Sequence, residues 1–327
     1  MLENILCPGK GMPDMEQQLE EALKIRYIKL HFTVSMLEDT ELPVEKVSAL
    51  RGGMGEMLLR ANCVRDRECG KCDFESECIV RRTMYSKYEI TPRFVTTNDS
   101  VGYILECENY EKEFYEGSLL EFNLILFGRT IVYFNLYMQA FFALGNEGIG
   151  KNHSRFRIVS VTNTERQRLY SEEMISMEQY RVQTIRDYVR YRIRQIRGNG
   201  CKNRLVFQTP LTLKYQGEFL EEFHMEAIWN AVRRRIYMLE CYEGNADIIY
   251  NVEYDETMLP DIVMQEHEWI TVRRYSSTQD RKMSMTGIKG YAALNMIPED
   301  VLPVLLAGEL IHIGKNTSFG FGRYRII

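Results

Sequence analysis

Apolar and polar positions over residues 24–34 alternate with a period of two: Ile28, Leu30, Phe32 and Val34 on one face, Tyr27, Lys29, His31 and Thr33 on the other. Such alternation predicts a strand with one buried face. Residues 43–61 then read as a helix, 101–107 and 118–127 as strands, and 131–144 as a strongly apolar helix. Phe156-Arg157-Ile158-Val159 gives a short closing strand. The same order returns further on. Residues 204–215 are strand-like, 218–242 a long helix, and 267–275 and 282–294 strands. Residues 298–311 form another apolar helix, with Pro298 suited to its first turn, and Arg323-Tyr324-Arg325-Ile326 closes the chain. Each half therefore runs β-α-β-β-α-β, the ferredoxin-like order. The fold class expected is α+β: tandem ferredoxin-like (RRM-like) domains at 1–164 and 165–327, the first carrying a small cysteine-rich insert at 61–80.

A repeated loop supports the duplication. Ile149-Gly150-Lys151-Asn152-His153-Ser154 returns 164 residues later as Ile313-Gly314-Lys315-Asn316-Thr317-Ser318, each copy between an apolar helix and a short strand. The second copy continues to Gly320 and Gly322. Glycines at these positions permit positive-φ backbone and close approach. Successive N–H groups there form a candidate phosphate nest, with Lys315 adding a full charge. The helix before the loop points its negative end at the site, so the N–H groups and the lysine must supply the attraction. Lys151, Asn152, His153, Gly314, Asn316, Ser318, Gly320 and Gly322 are the candidate backbone contacts from the two loops.

A chain of 327 residues suits two medium domains. No window approaches about 18 uninterrupted apolar residues, and the N-terminus has neither a basic nor an apolar leader region. The expectation is a cytoplasmic protein with no membrane partner. The net charge of −5 argues against a uniformly basic surface, but the charge is uneven. Arg186, Arg190, Arg192, Arg194, Arg197, Lys202 and Arg204 crowd one segment, followed by Arg233-Arg234-Arg235 and Arg273-Arg274. The acids lie elsewhere, in 16–21, 106–116 and 247–256. One basic face can hold a polyanion while the whole stays soluble; solvated helix faces are the plainer alternative. On a strand, Arg190, Arg192 and Arg194 would share one face.

Four of the eight cysteines are bunched as Cys-x5-Cys-x2-Cys-x5-Cys: Cys63, Cys69, Cys72 and Cys78. The spacing suits a closed tetrahedral structural zinc site, with reduced thiols or an iron–sulfur cluster as alternatives. No catalytic metal is expected there. Cys7, Cys107, Cys201 and Cys241 are scattered and read as packed or inert.

The C-terminal run from His312 to Gly322 resembles the glycine-rich loop of RAMP-superfamily proteins, with Gly314, Gly320 and Gly322 matching and His312 in the place of the first glycine. Within that superfamily the chain is most similar to the CRISPR-associated pre-crRNA-processing endoribonucleases. The supporting stretches are Leu50 through Leu59, the cysteine cluster, Phe127-Gly128-Arg129, Gly148-Ile149-Gly150, Arg274-Tyr275-Ser276 with Gln279, and the turn from Gly287 to Gly290. The resemblance implies metal-independent cleavage of CRISPR repeat RNA: a 2′-hydroxyl attacks the adjacent phosphate, leaving a 2′,3′-cyclic phosphate and a 5′-hydroxyl. It also implies crRNA, and the subunits of a CRISPR effector complex, as partners.

Five histidines are available. His312, at the junction of helix and loop, is a candidate general acid or base, with Lys315 stabilising the phosphorane; the alternative is a helix-terminal residue that favours the dipole. His31 shares a strand face with Tyr27 and Lys29, the face that a cleft between the halves would use; a partly exposed sheet residue is the alternative. His153 reads as an RNA contact, His224 as a packed helix residue, His267 as a strand-end surface residue. Arg190, Arg192, Arg194 and Arg274 are the candidate backbone contacts outside the loops. A non-catalytic crRNA-binding subunit is the second reading, and a zinc-stabilised scaffold with a protein partner the third.

Overall fold

The computed structural model describes residues 23–65, 67–85, 88–92, 95, 100–171, 174–199, 203–244, 259–276 and 281–327. Cys7, Cys201, Lys202, Gln279 and the acidic runs 16–21 and 247–256 lie outside them. In the first half the elements are β1 (Arg26–Met36), α1 (Val47–Asn62), β2 (Tyr103–Glu106), β3 (Leu119–Phe127), α2 (Phe134–Glu147) and β4 (Phe156–Thr162). β5 (Arg168–Ser171), β6 (Gln183–Thr184) and α3 (Ile185–Asn199) lead into the second half. That half contains β7 (Arg204–Leu211), α4 (Met225–Glu243), β8 (Ile262–Ser276), β9 (Arg281–Leu294), α5 (Leu302–Ile311) and β10 (Tyr324–Ile326).

Both sheets have the same topology. The first runs β2-β3-β1-β4 and the second β8-β9-β7-β10, all neighbours antiparallel, which is the ferredoxin-like arrangement. The expected boundary at 164 falls too early. β5 extends the first sheet beside β4, and β6 pairs with β1, so the first half continues to about residue 184.

The period-two pattern of β1 becomes a division of labour between two cores. Ile28, Leu30, Phe32 and Val34 pack under α1 and α2 with Met54, Leu58, Phe141 and Leu144. Tyr27, on the opposite face, joins Ile104, Ile125 and Phe127 in a second cluster that also holds Ile228, Trp229 and Leu239 of α4 and Leu306 and Leu310 of α5. The outer face of the first sheet is therefore part of the second half's core. α1 and α2 approach closely because Gly53 faces Leu144: a β-carbon there would stand 2.3 Å from the leucine Cδ1.

One element differs in kind from expectation. Arg190, Arg192 and Arg194 sit on a helix, α3, and do not share a face. Thr184 and Asp187 close the start of α3 with reciprocal bonds: Thr184 Oγ1 accepts from Asp187 N at 3.2 Å, and Asp187 Oδ2 accepts from Thr184 N at 2.9 Å. Ile185 and Val189 turn inward while Arg190 and Arg194 stay exposed. Arg192 is buried against α5. Its Nε and Nη2 grip the Glu309 carboxylate at 2.7 and 3.1 Å, and Nη2 also donates to Ile326 O at 2.9 Å. Tyr188 Oη and Ile326 N complete the shell of Glu309. Arg192 is thus an internal tie, unavailable to RNA.

No helix among the described residues is long and apolar enough to cross a membrane.

Candidate functional site

Where the two halves meet, one buried carboxylate gathers charged groups from both. Glu106, at the end of β2, is 4 % exposed. From its own half it accepts Lys29 Nζ at 2.6 Å and Asn123 Nδ2 at 2.9 Å. From the other half come His312 Nε2 at 3.0 Å and Arg323 Nε at 3.4 Å. Burial alone would raise this carboxyl; Lys29, the His312 hydrogen bond and Arg323 outweigh it and hold Glu106 well below the usual carboxylate range. The sequence offered no sign of it, since Glu106 opens an acidic run that reads as surface.

His312 has no exposed surface. Its Nδ1 faces Phe321 O at 3.2 Å and its Nε2 faces Glu106. Burial pushes the imidazole down, by more than Glu106 raises it, and Arg323 and Lys29 act in the same direction as burial. Its backbone adopts a positive φ of 53° where α5 ends. A ring sealed in this way orders the junction between the halves and does not reach a substrate.

His31 is placed differently. It lies on the β1 face that turns towards the second half, opposite Asn123 across the β1–β3 pair, with 39 % of its side chain exposed. Asn123 Oδ1 stands 2.9 Å from Nδ1, so the amide oxygen holds the proton on that nitrogen. Nε2 is turned outward, 3.5 Å from Glu121 Oε1. Asn123 also donates to Glu106, so one amide links the exposed histidine to the buried cluster.

The second glycine loop spends several of its backbone N–H groups on the protein itself. Lys315 N donates to Thr212 O, Gly322 N to Pro210 O, Gly320 N to Thr317 O, and Phe321 N to Asn316 O. Ile313 N and Phe319 N are likewise taken by Gly322 O and Asn316 O. Gly320 (φ +79°) and Gly322 (φ +70°) serve close approach: a β-carbon would stand 2.8 Å from Leu105 O at the first and 1.8 Å from Ile313 O at the second. Gly314 sits as closely against Thr212 O. The glycines seat the loop on both halves, and these six N–H groups are spent on protein carbonyls. Lys315 remains exposed, with Nζ 5.5 Å from the centre of the Phe219 ring. Ser318 is buried and accepts from Arg51 Nε at 3.2 Å.

In the first loop, Lys151, Asn152 and His153 are exposed, and Ile149 and Ser154 pair across it. Asn152 Nδ2 donates to Glu41 O at 3.3 Å. Gly148 (φ +90°) comes so close to His153 that a β-carbon would meet its carbonyl oxygen at 2.0 Å.

All four clustered cysteines line one cavity of about 1240 Å³, together with Arg51, Arg274 and Phe319. Their donor chemistry suits a thiolate-bound metal. Among the described residues, however, no three His, Cys, Asp or Glu side chains are drawn together closely enough to hold one. Cys63, Cys69, Cys72 and Cys78 are free thiols, each half-buried.

Two sheets of one topology, each with a glycine loop and meeting along a charged line, define a tandem ferredoxin-like protein. Residues 205–324 match the family model of the CRISPR-associated endoribonuclease Cas6, and residues 23–186 match a family model described as an N-terminal domain. The second half of the chain is thus similar to the Cas6 endoribonuclease family. Among solved structures it is similar to a chain of the partial Cas6-RT-Cas1–Cas2 complex, with 11 % identity over 93 % of its length and a TM-score of 0.53. It spans 46 % of that chain and 29 % of the one matched in the Cas6-RT-Cas1–Cas2 complex. A Thermus thermophilus Cas6 product complex matches at 12 % identity and a TM-score of 0.50, covering 92 % of this chain and 100 % of that one. At such identities the likeness concerns the fold. No curated protein matches the chain.

Proposed function

We propose that the chain is a metal-independent endoribonuclease of the cytoplasm that cuts CRISPR repeat RNA in pre-crRNA. The observation that carries this reading is the placement of His31: half-exposed on the face between the halves, one ring nitrogen fixed by Asn123 and the other turned outward. In the neutral ring, Nε2 accepts the proton of the ribose 2′-hydroxyl. The 2′-oxygen then bonds to phosphorus, the bond from phosphorus to the 5′-oxygen breaks, and the leaving oxygen takes a proton from water while His31 returns its own to solvent, giving a 2′,3′-cyclic phosphate and a 5′-hydroxyl. His312 and Glu106 act as positioning residues by fixing the two halves against each other. Lys315, Lys151, Arg190 and Arg194, all exposed, supply charge for the strand's phosphates.

The test is incubation with the cognate repeat RNA in EDTA. The reading expects a single cut with a cyclic-phosphate end, abolished by one deoxy substitution at the cut site. Tight binding without a cut would favour the crRNA-binding subunit; no binding would remove both readings. A matched chain belongs to the partial Cas6-RT-Cas1–Cas2 complex, which supports other CRISPR proteins as partners.

A structural zinc at Cys63, Cys69, Cys72 and Cys78 is part of the same proposal. When bound, the ion would tie the insert together and leave the cleavage chemistry untouched, since four thiolates close its shell. Elemental analysis of natively purified protein should find about one zinc per chain, lost in Cys69→Ser with Cys72→Ser; zinc-free protein of unchanged stability would contradict it.

A further inference from the structure

Two arginines from opposite halves close on one aromatic ring beside the cysteine-lined cavity. Arg51, from α1, lies 4.1 Å from the centre of Phe319, and Arg274, from β8, lies 4.7 Å from it. Arg51 Nε and Nη2 donate to two neutral hydroxyls, Ser318 Oγ at 3.2 Å and Ser100 Oγ at 3.1 Å. Arg274 Nη2 meets the Met283 thioether at 3.4 Å. Its Nε is buried with no hydrogen-bond partner among the described residues. Among those residues no carboxylate pairs with either arginine, whereas Arg67 and Arg81 on the same cavity are neutralised by Glu56 and Glu75.

Two guanidinium groups gathered without a counter-charge repel each other. Burial first, and then the charge of Arg51, push the Arg274 guanidinium down. The face of Phe319 attracts each cation but does not cancel their repulsion. What would complete the site is a tetrahedral oxyanion, whose oxygens match forked N–H donors. The cavity beside them, about 1240 Å³, exceeds the roughly 300–1,000 Å³ of ordinary small-ligand pockets and leaves room for a chain.

We propose that Arg51 and Arg274 together clamp one phosphodiester of the bound RNA, with Phe319 holding the two guanidinium groups at the right spacing. The clamp rests on the RNA-processing reading and adds to it a place where substrate itself bridges the two halves. Ser318 and Ser100 aim Arg51, which gives the buried serine of the glycine loop an indirect part in binding.

The test measures the affinity of a non-cleavable repeat RNA, deoxy at the cut site, against salt concentration. Wild type is compared with Arg51→Gln, Arg274→Gln, the double variant and Arg51→Lys. Each single Gln variant should weaken binding while the remaining arginine keeps most of the slope of log K against log salt. The double variant should lower the slope by about 0.7, the value for one single-strand phosphate contact, because the phosphate is shared. Arg51→Lys should keep the slope yet lose affinity, which separates loss of the fork from loss of the fold. A slope unchanged in the double variant, or a loss of about 0.7 in each single variant that doubles when the two are combined, would overturn the shared clamp. If wild type binds no RNA, the functional reading itself fails, and inorganic phosphate becomes the probe. A phosphate-dependent rise in Tm, absent in the double variant, would then replace RNA by a free phosphate; no rise would remove the site.

Discussion

Glu106 and Glu240 are both buried carboxylates, and their surroundings set opposite pH responses. Glu106 has four partners and a lowered pKa, so its stabilisation is complete above its unfolded value, about 4.3, and is lost as pH falls through the folded value. His312, also lowered, adds to the acid-side loss below its unfolded value of about 6.5, because the unfolded chain takes up the proton first. Glu240 is 3 % exposed, and neither carboxylate oxygen has a hydrogen-bond partner among the described residues. Burial, and then Glu243, push it up to about 8. Its effect has the other sign: stability falls as pH rises through about 8. Thermal melts across pH should show Glu240→Gln gaining a few degrees over wild type at pH 9 and far less at pH 6. Glu106→Gln should lose stability at neutral pH, and its acid limb should be flatter than wild type's. Neither carboxylate was legible in the sequence. His312, a partner of Glu106, lies 206 residues away along the chain, and each carboxylate sits in a stretch whose local pattern reads as ordinary helix or acidic surface.

At the scale of elements, the strand of alternating residues around His31 and the twin glycine loops were legible because period and repetition are local signals. α3 was not. Arginines at 190, 192 and 194 also satisfy a strand period, and the true signal, apolar Ile185, Val189, Ile193 and Ile196 at helical spacing, was masked by the charge between them. The pairing of Arg192 with Glu309 predicts the consequence: Arg192→Ala leaves a buried carboxylate short of its main partner and should cost about 3–5 kcal/mol in denaturant unfolding. Arg190→Ala, on the exposed side of the same helix, should change stability little and weaken RNA binding in a salt-dependent way. The glycines separate along the same lines. Gly52 on α1 has open space where a β-carbon would stand, with nothing within 4 Å, so Gly52→Ala should stabilise by about 0.5–1 kcal/mol through helix propensity. Gly322→Ala forces a methyl group onto Ile313 O at positive φ, and should destabilise well beyond that.

The whole molecule behaves as one unit in which the second core borrows residues from the first sheet. Tyr27, Ile104 and Phe127 are buried beside α4 and α5, and Arg235 of α4 donates to Val101 O of the first half at 3.2 Å and to Ile311 O at the end of α5. A single cooperative unfolding transition is expected, the same by tryptophan fluorescence and by circular dichroism. The order of elements in each half was legible in the sequence; the seam between them was not, because it is made by contacts across the duplication. That seam positions His31, and the proposed function stands or falls on His31 moving the proton in RNA cleavage. The decisive experiment is single-turnover cleavage of the repeat RNA by His31→Ala. The expected result is a loss of about 10²–10⁴-fold in rate with RNA affinity and Tm preserved; cleavage at the wild-type rate would contradict it.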